Sequence, residues 1–351
     1  MSGLHFHALR VASVRADADD ALLVTFDLPS ELQDTFRFMP GQYLTLRAGD
    51  LRRSYSICAG PGEKLRIGVR RVPGGAFSGR LHTEIKAGDV VDVMEPQGRF
   101  GAGLEQSPRH VLAVAGGSGI TPVIAILKAV LASQAQARCT LLYGNRSMAS
   151  TMFKEELEDL KNRYLSRLAL HVVFSRELVD SPLHNGRLDS AKISSFLKLA
   201  GPVDQAFVCG PHAMNDEVEA ALLQAGLAPD RIHVERFGIP LQDHLVSQRP
   251  APLPGDVPAA RIGIVRDGLT REVDFHVADG NILQAAVRAG MDLPYSCRSG
   301  VCATCRAKLL QGRVRMERNF ALEKDDEAAG FVLTCQARPL TDGVVVSFDH
   351  R

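Results

Sequence analysis

The sequence has almost no excess of either charge. Its 351 residues include 41 Lys or Arg and 40 Asp or Glu, a formal net charge of +1. This balance gives no support to binding of nucleic acid or of a membrane surface. No hydrophobic run reaches the ~18 residues of a membrane-spanning helix, and residues 1–20 lack the basic segment and apolar stretch of a secretory signal. We therefore expect a soluble, cytoplasmic protein with neither a nucleic-acid nor a membrane partner.

Cysteine is scarce and unevenly distributed. The chain has 7 cysteines, and four of them follow residue 290. In a long chain without an export signal, ligand or redox roles are better explanations than a disulfide framework. A lone cysteine on an apolar strand is usually a small buried hydrophobe, and this interpretation covers Cys58 and Cys139.

The length and the 45% hydrophobic content favour two or three domains with buried cores. The first hundred residues contain short, partly alternating apolar segments separated by turn residues such as Pro40-Gly41. This pattern predicts an antiparallel β-barrel. The expected strands are residues 21–29, 41–48, 52–58, 64–72 and 89–96.

The periodicity of the apolar residues changes after residue 110. Apolar strand-like segments alternate with helical ones whose apolar residues recur every three or four positions. Such alternation predicts an α/β, doubly wound parallel sheet flanked by helices. The expected strands are 110–117, 138–145, 168–175, 205–211 and 231–237, and the clearest helices are 122–134 and 152–164.

A proline-rich stretch follows this second segment. Residues 247–258 read SQRPAPLPGDVP, and such composition is typical of a semi-rigid, extended spacer. We therefore predict a barrel over residues 1–106, an α/β domain over 107–238, a linker over 239–260 and a third domain over 261–351.

The third domain carries the most specific motif. Cys297, Cys302 and Cys305 have the spacing Cys-x4-Cys-x2-Cys, and Cys335 follows at a distance. This is the spacing of plant-type [2Fe–2S] ligands, and Gly300 allows the loop to fold tightly around a cluster. The alternative is a structural zinc site, which more often uses two short Cys-x2-Cys pairs.

A glycine-rich turn, AVAGGSGITP, links a predicted strand to a predicted helix. Gly116, Gly117 and Gly119 allow close backbone approach, and Thr121 followed by Pro122 resembles an N-cap and first helical residue. Backbone N–H groups at such a helix start favour a pyrophosphate. The sequence is not G-x-G-x-x-G, so a merely tight turn remains the alternative.

Two further strand ends carry Arg and Ser. Arg146 and Ser147 follow one predicted strand, and Ser175 and Arg176 follow the next. Side chains at neighbouring strand ends of a doubly wound sheet can hold a ribose 2′-phosphate, with Arg as forked donor. We therefore expect NADPH rather than NADH; two solvated arginines are the alternative.

The barrel segment contains RRSYS and GGAFSGRL. Alternation places Arg53 and Tyr55 on one strand face and Ser56 on the other. Tyr55 can lie against an aromatic cofactor while Arg53 reaches a phosphate. Ser78 occupies a plausible helix start after the second glycine turn.

These motifs, in this order, resemble the ferredoxin–NADP reductase superfamily over nearly the whole chain. The resemblance implies FAD in the barrel, NADPH in the α/β domain and an α+β, β-grasp-type ferredoxin domain that binds the [2Fe–2S] cluster. It also implies site roles. Tyr55, Ser56 and Cys209 lie near the hydride path, and the remaining cofactor contacts are Arg53, Gly75, Phe77, Ser78, Gly117, Ser118, Gly119, Thr121, Gly210 and Glu235.

The domain order resembles oxygenase reductases, and RRSYSIC, YGNRSMASTMFKEELEDLKNRY and NFALEKDDEAAGFVLTCQ resemble the reductase subunits of phenylacetyl-CoA epoxidases. This implies electron transfer from NADPH through FAD and [2Fe–2S] to a di-iron oxygenase partner in phenylacetate breakdown. Reductases of ring-hydroxylating or steroid oxygenases are the alternative, and a metal-stabilised binding module is the alternative from another class. No catalytic triad is expected, because the cofactors carry the chemistry.

Overall fold

The computed structural model describes residues 4–238, 253 and 255–350. These residues form two compact units. One consists of His7–Leu51 and Tyr55–Phe237, and the other lies mainly after Gly238. Most of the predicted linker, residues 239–252 and 254, falls outside the described residues. No helix in the described part of the chain is long and apolar enough to cross a membrane.

The first domain is an antiparallel sheet with strand order β4-β3-β6-β1-β2-β5 in the described residues. Its strands are β1 (Phe6–Ala16), β2 (Ala21–Asp27), β3 (Tyr43–Ala48), β4 (Leu51–Ser56), β5 (Arg66–Arg70) and β6 (Val90–Met94). A bridge between Ile57 and Ile67 joins the chain after β4 to β5, the two edge strands of this order. The sheet thereby closes into the predicted barrel, around apolar residues that include Leu44 and Val69.

Two local features of this domain differ from the predictions. Strand β1 was not among the expected strands, and a register shift between Val11 and Ser13 breaks its alternation of apolar and polar residues. Helix α1 (Ala76–Glu84) begins at Ala76 with Gly75 at its N-cap, so Ser78 lies inside the first turn rather than at its start.

The second domain is a parallel sheet with order β11-β10-β7-β8-β9 in the described residues. Its strands are β7 (His110–Gly116), β8 (Arg138–Asn145), β9 (Leu168–Phe174), β10 (Gln205–Gly210) and β11 (Ile232–Arg236), and its helices are α2 (Ile120–Ser133), α3 (Lys154–Arg163), α4 (Ser190–Ala200) and α5 (His212–Gln224). The doubly wound prediction is confirmed. The order reverses between β7 and β10, and ligands bind at such switch points.

The central strands β7 and β10 were predictable because both faces of the sheet are covered there. Every residue of β7 and of β10 is buried, as helices on either side require. Helix α2 is buried along most of its length, from Ile120 to Leu131. Rigid, fully packed strands of this kind fix the positions of the loops at their carboxyl ends.

The third domain is the predicted α+β ferredoxin-type fold. Its main described sheet has the order β13-β12-β18-β14-β16, and a second sheet pairs β15 with β17. The strands are β12 (Ala259–Arg266), β13 (Leu269–His276), β14 (Arg306–Gln311), β15 (Val314–Met316), β16 (Phe331–Leu333), β17 (Ala337–Pro339) and β18 (Val344–Ser347), with helices α6 (Ile282–Arg288) and α7 (Lys324–Ala328). Strand β12 runs parallel to β18 and antiparallel to β13. Helix α6 packs its buried face on this sheet.

Candidate functional site

The four predicted cluster ligands come together in the third domain. Cys297, Cys302 and Cys305 lie on the loop between α6 and β14, and Cys335 follows β16. Hydrogen bonds hold the two segments together, since the backbone N–H and hydroxyl of Thr334 both donate to the carbonyl of Cys305, at 3.2 and 3.0 Å.

The loop turns its amides towards the sulfurs. Arg298, Gly300 and Ala303 have φ values of 56°, 81° and 54°, which are left-handed conformations. The amide of Ser299 donates to Sγ of Cys297 at 3.3 Å, and the side-chain amide of Gln336 approaches Sγ of Cys335 at 3.4 Å. Amides directed at sulfur stabilise negative charge there, as an iron–sulfur cluster needs.

The sulfur atoms also interact with one another. Hydrogen bonds from Cys302 and Cys335 lower the pKa of the Cys297 thiol. Hydrogen bonding to Cys297 and burial raise the pKa of the Cys302 thiol. Hydrogen bonds to Cys297 and Cys305 likewise raise the pKa of the Cys335 thiol. Within the described residues, no three His, Cys, Asp or Glu side chains are arranged to hold a single metal ion. The four-sulfur donor set fits a [2Fe–2S] cluster.

The glycine-rich turn of the second domain packs against the end of β10. A Cβ on Gly119 would lie 2.0 Å from the carbonyl oxygen of Cys209, and a Cβ on Gly210 would lie 3.0 Å from the amide of Gly116. The turn therefore needs glycine for its own packing as well as for a ligand. Residues Gly117–Gly119 form a 3₁₀ turn that leads directly into α2 at Ile120.

The predicted cap of this helix is wrong in detail. Helix α2 starts one residue before Thr121, with Gly119 at the N-cap, so Pro122 is not its first residue. The hydroxyl of Thr121 instead donates to the carbonyl of Ser118 at 3.0 Å and stabilises the turn. Helix and turn still present an N-terminus of the kind that binds pyrophosphate.

The two predicted Arg–Ser strand ends are neighbours. The amide of Ser175 donates to the carbonyl of Asn145 at 2.9 Å, and that of Arg176 donates to the carbonyl of Arg146 at 2.9 Å. The amide of Ser147 is bonded to the hydroxyl of Ser150. Arg146 and Arg176 therefore follow adjacent parallel strands, as the 2′-phosphate hypothesis requires.

Sequence reasoning missed two residues beside this edge. The end of β5 places Arg70 so that its Nη1 lies 3.1 Å from the position of a Cβ on Gly117. The carboxylate of Asp20 pairs with Nε of Arg70 at 3.1 Å and with Nη2 of Arg146 at 2.7 Å. The two adjacent arginines of GVRRV could have drawn attention to Arg70 as a site residue. Asp20 could not have been found in this way, because it lies in an ordinary hairpin turn.

The barrel strand β4 carries the predicted flavin motif with the expected alternation. Arg53 is exposed, Tyr55 is half-buried and Ser56 is buried. The ring of Tyr55 lies 6.0 Å from that of Phe77, centroid to centroid. The hydroxyl of Ser56 donates to Oε1 of Glu235 on β11 at 3.5 Å.

Cys209 and Glu235 are aligned in neighbouring strands. Cys209 on β10 pairs in register with Glu235 on β11. Burial raises the pKa of Glu235 to about 8, against a weaker lowering effect of the Ser56 hydroxyl. Burial and the Glu235 charge raise the pKa of the Cys209 thiol well above its usual value. Near neutral pH this site therefore holds a protonated carboxyl and a neutral thiol, both able to donate hydrogen bonds.

The second glycine turn of the barrel is stabilised by its own side chains, and its predicted contacts with the flavin phosphates stay a prediction. Phe77 is buried in the barrel core, with 4% of its surface exposed. The hydroxyl of Ser78 accepts the amide of Val72 at 3.1 Å. A Cβ on Gly75 would lie 2.7 Å from that hydroxyl. Phe77 and Ser78 therefore shape this turn from within.

Comparisons with known proteins agree with this arrangement. A family model described as "Oxidoreductase NAD-binding domain" matches residues 113–220, and one described as "2Fe-2S iron-sulfur cluster binding domain" matches residues 264–340. The fold of the chain matches that of phthalate dioxygenase reductase with a TM-score of 0.62 and 24% identity, over 97% of this chain and 98% of that one. Fold and site together define a modular electron-transfer reductase.

Two relatives show to which family of reductases the chain belongs. The chain is 44% identical to a component of the 1,2-phenylacetyl-CoA epoxidase of Escherichia coli (strain K12), over 99% of this chain and 98% of that protein. It is 34% identical to "3-ketosteroid-9-alpha-monooxygenase, ferredoxin reductase component" of Rhodococcus rhodochrous, over 97% of this chain and 96% of that protein. The chain belongs to the ferredoxin–NADP reductase superfamily, and within it to the oxygenase reductases with a C-terminal [2Fe–2S] domain. It is an NAD(P)H-dependent oxidoreductase that uses FAD and a [2Fe–2S] cluster.

Proposed function

We propose that this chain passes electrons from NADPH to the di-iron oxygenase component of a phenylacetyl-CoA epoxidase, in aerobic phenylacetate breakdown. The full-length identity of 44% to a component of such an enzyme supports this partner. The use of NADPH as electron donor is supported by the backbone hydrogen bond between Arg176 and Arg146, which places both arginines at adjacent strand ends. Electron delivery through a cluster is supported by the four-sulfur site of the third domain.

We assign one cofactor to each of the three proposed domains. Bound FAD would supply the exchange between hydride transfer and single-electron transfer, which would let a two-electron donor serve a one-electron cluster. The FAD-binding barrel comprises residues 1–106, the NADP-binding domain 107–238, the linker 239–260 and the ferredoxin domain 261–351. A cytoplasmic location remains a prediction from the sequence.

The protein's own residues would bind and orient the flavin and the nicotinamide and tune their surroundings. In the barrel, Arg53 would bind the flavin pyrophosphate and Tyr55 would lie on the ring, with Gly75 at the phosphate turn. The neutral Ser56–Glu235 pair supplies hydrogen-bond donors in a site from which water is partly removed. Cys209, fully buried and protonated, would border the nicotinamide as a small apolar wall rather than as a nucleophile.

The nucleotide would lie along the carboxyl edge of the parallel sheet. The residues proposed to hold its pyrophosphate and nicotinamide ends are Gly117, Ser118, Gly119, Thr121, Cys209 and Gly210. Those proposed to hold the 2′-phosphate are Arg146, Ser147, Ser175 and Arg176. Backbone N–H groups of the turn and the positive end of α2 favour the phosphates electrostatically.

Reconstitution tests the partner. The purified, flavin- and cluster-loaded protein is mixed with NADPH and with the oxygenase components of phenylacetyl-CoA epoxidase or of a 3-ketosteroid monooxygenase. We expect substrate-dependent NADPH consumption and oxygenated product with the epoxidase. Turnover with the steroid oxygenase alone would establish the second candidate, which the 34% identity to its reductase component supports.

A further inference from the structure

One carboxylate is shared by two arginines at the nucleotide edge of the parallel sheet. Oδ1 of Asp20 lies 3.1 Å from Nε of Arg70, and Oδ2 lies 2.7 Å from Nη2 of Arg146. Arg70 also donates to the carbonyl of Ser150. The side chains of Arg70 and Asp20 are 16% and 27% exposed, so solvent screens their pairing only in part.

This cluster borders the turn proposed to bind pyrophosphate. Nη1 of Arg70 lies 3.1 Å from the position of a Cβ on Gly117. The carbonyl of Gly117 accepts the hydroxyl of Tyr143 at 3.0 Å. Arg146, the other partner of Asp20, is the residue proposed to bind the 2′-phosphate. Asp20 therefore bridges Arg70, beside the proposed pyrophosphate turn, and Arg146, the proposed 2′-phosphate ligand.

The hairpin turn that carries Asp20 is tied down on both sides. The amide of Arg71 donates to the carbonyl of Asp20 at 2.7 Å, and the amide of Asp19 donates to the carbonyl of Ala149 at 3.2 Å. The carboxylate of Asp17 accepts the amide of Phe153 at 2.8 Å. With its backbone held against the loop after β8, Asp20 stays close to Arg146.

A fixed carboxylate beside Arg146 acts against a 2′-phosphate in two ways. It occupies an N–H group of Arg146 Nη2 that a phosphate could otherwise accept, and its negative charge repels a dianionic group within a Debye length of about 8 Å. NADH has no 2′-phosphate, so this penalty falls on NADPH alone. Like-charge placement of this kind is a common device of specificity.

We propose that Asp20 is a specificity-determining residue that limits the preference of this reductase for NADPH over NADH. The inference rests on the proposed function, because it takes Arg146 as a ligand of the 2′-phosphate. It assigns to the barrel hairpin, which lies outside the α/β domain, a role in the choice between the two cofactors.

Kinetics of the flavin-loaded protein with an artificial electron acceptor test this. Asp20→Asn keeps the side chain's size and removes the charge, and Asp20→Ser is a second neutral variant. We expect both to raise the ratio of kcat/KM for NADPH to that for NADH by about fivefold or more, through a lower KM for NADPH. The dissociation constant of 2′-AMP should fall by a similar factor, and that of 5′-AMP should not change.

The matched control is Asp19→Asn, which removes the same charge from the next, exposed residue and should leave the cofactor ratio unchanged. An unchanged or lower ratio in folded, flavin-loaded Asp20→Asn and Asp20→Ser would overturn the inference. Arg146→Ala separates the two claims. If it weakens 2′-AMP binding while the Asp20 variants have no effect, the inference alone fails; if it has no effect either, the proposed 2′-phosphate site fails with it.

Discussion

The hydroxyl of Ser56 lies 3.5 Å from Oε1 of Glu235, although the two residues are 179 positions apart in the sequence. The contact joins β4 of the barrel to β11 of the parallel sheet, within one compact unit. It places a carboxyl with a pKa raised to about 8 beside the strand that carries the flavin motif. The strand with the predicted flavin motif and the Glu235 carboxyl are thus held together by the packing of two domains.

The Glu235 carboxyl should make stability depend on pH. Its pKa rises from 4.5 in the unfolded chain to about 8 in the folded one, so between these values the folded protein holds an extra proton. The free energy of unfolding therefore falls as pH rises through this window, and the loss is complete above it. Glu235→Gln removes the titrating group, so the variant should gain in stability relative to the wild type between pH 6 and pH 9.

Urea unfolding of both proteins, followed by flavin fluorescence, measures this difference. A stability difference that stays constant from pH 6 to pH 9 would show that the Glu235 carboxyl is not buried in its neutral form.

The cysteine assignment predicts a selective loss of iron. Cys302→Ala removes a proposed ligand, whereas Cys139→Ala changes a buried cysteine on β8. We expect iron content to fall from about two per chain to well below one in Cys302→Ala only. Ferricyanide reduction by NADPH, which needs flavin but no cluster, should stay within about twofold of the wild type. Full iron content in Cys302→Ala would contradict the assignment.

Two glycines should respond in opposite directions to the same change. A Cβ on Gly119 would lie 2.0 Å from a backbone oxygen, whereas a Cβ on Gly79, inside α1, meets nothing within 4 Å. Gly119→Ala should therefore destabilise the protein by about 3 kcal/mol or more. Gly79→Ala should stabilise it by about 0.5–1 kcal/mol, because Ala loses less backbone entropy in a helix.

Thermal unfolding of the two glycine variants, with nucleotide affinity measured alongside, gives the readout. A Gly119→Ala protein as stable as the wild type would mean that the turn and the end of β10 do not pack as closely as described.

The second arginine of the 2′-phosphate hypothesis can be tested separately. Arg176→Ala should raise KM for NADPH by about tenfold, which corresponds to ~1.4 kcal/mol, and should leave KM for NADH nearly unchanged. Arg163→Ala is the matched control, because Arg163 is exposed at the end of α3 that leads to the opposite edge of the sheet. Equal increases in KM for both cofactors would argue against a 2′-phosphate contact.

The secondary-structure elements that could be predicted from the sequence were mainly the buried ones. The parallel strands were predicted to within two residues at each end, and for β7 and β10 the reason is that strands buried on both faces are continuous apolar runs. That the four cysteines of the third domain come together was predictable from their spacing. Strand β1 was not predicted, since a register shift between Val11 and Ser13 breaks its alternation of apolar and polar residues.

Long-range polar contacts were the least predictable features. The pairing of Asp20 with Arg146 spans 126 residues and depends on how the barrel hairpin meets the loop after β8. The hydrogen bond from the amide of Val72 to the hydroxyl of Ser78 was not predicted either, and the contact of Ser78 with a flavin phosphate stays a prediction. The contact between Asp20 and Arg146 depends on tertiary packing, which local sequence does not record.

The central claim is that this chain takes electron pairs from NADPH and delivers them singly through its cluster. The most direct measurement is anaerobic rapid mixing of the loaded protein with NADPH, followed at visible wavelengths and by electron paramagnetic resonance of frozen samples. We predict bleaching of the flavin followed by the signal of a reduced [2Fe–2S] centre. Flavin bleaching without any cluster signal, in a sample containing about two irons per chain, would contradict the account.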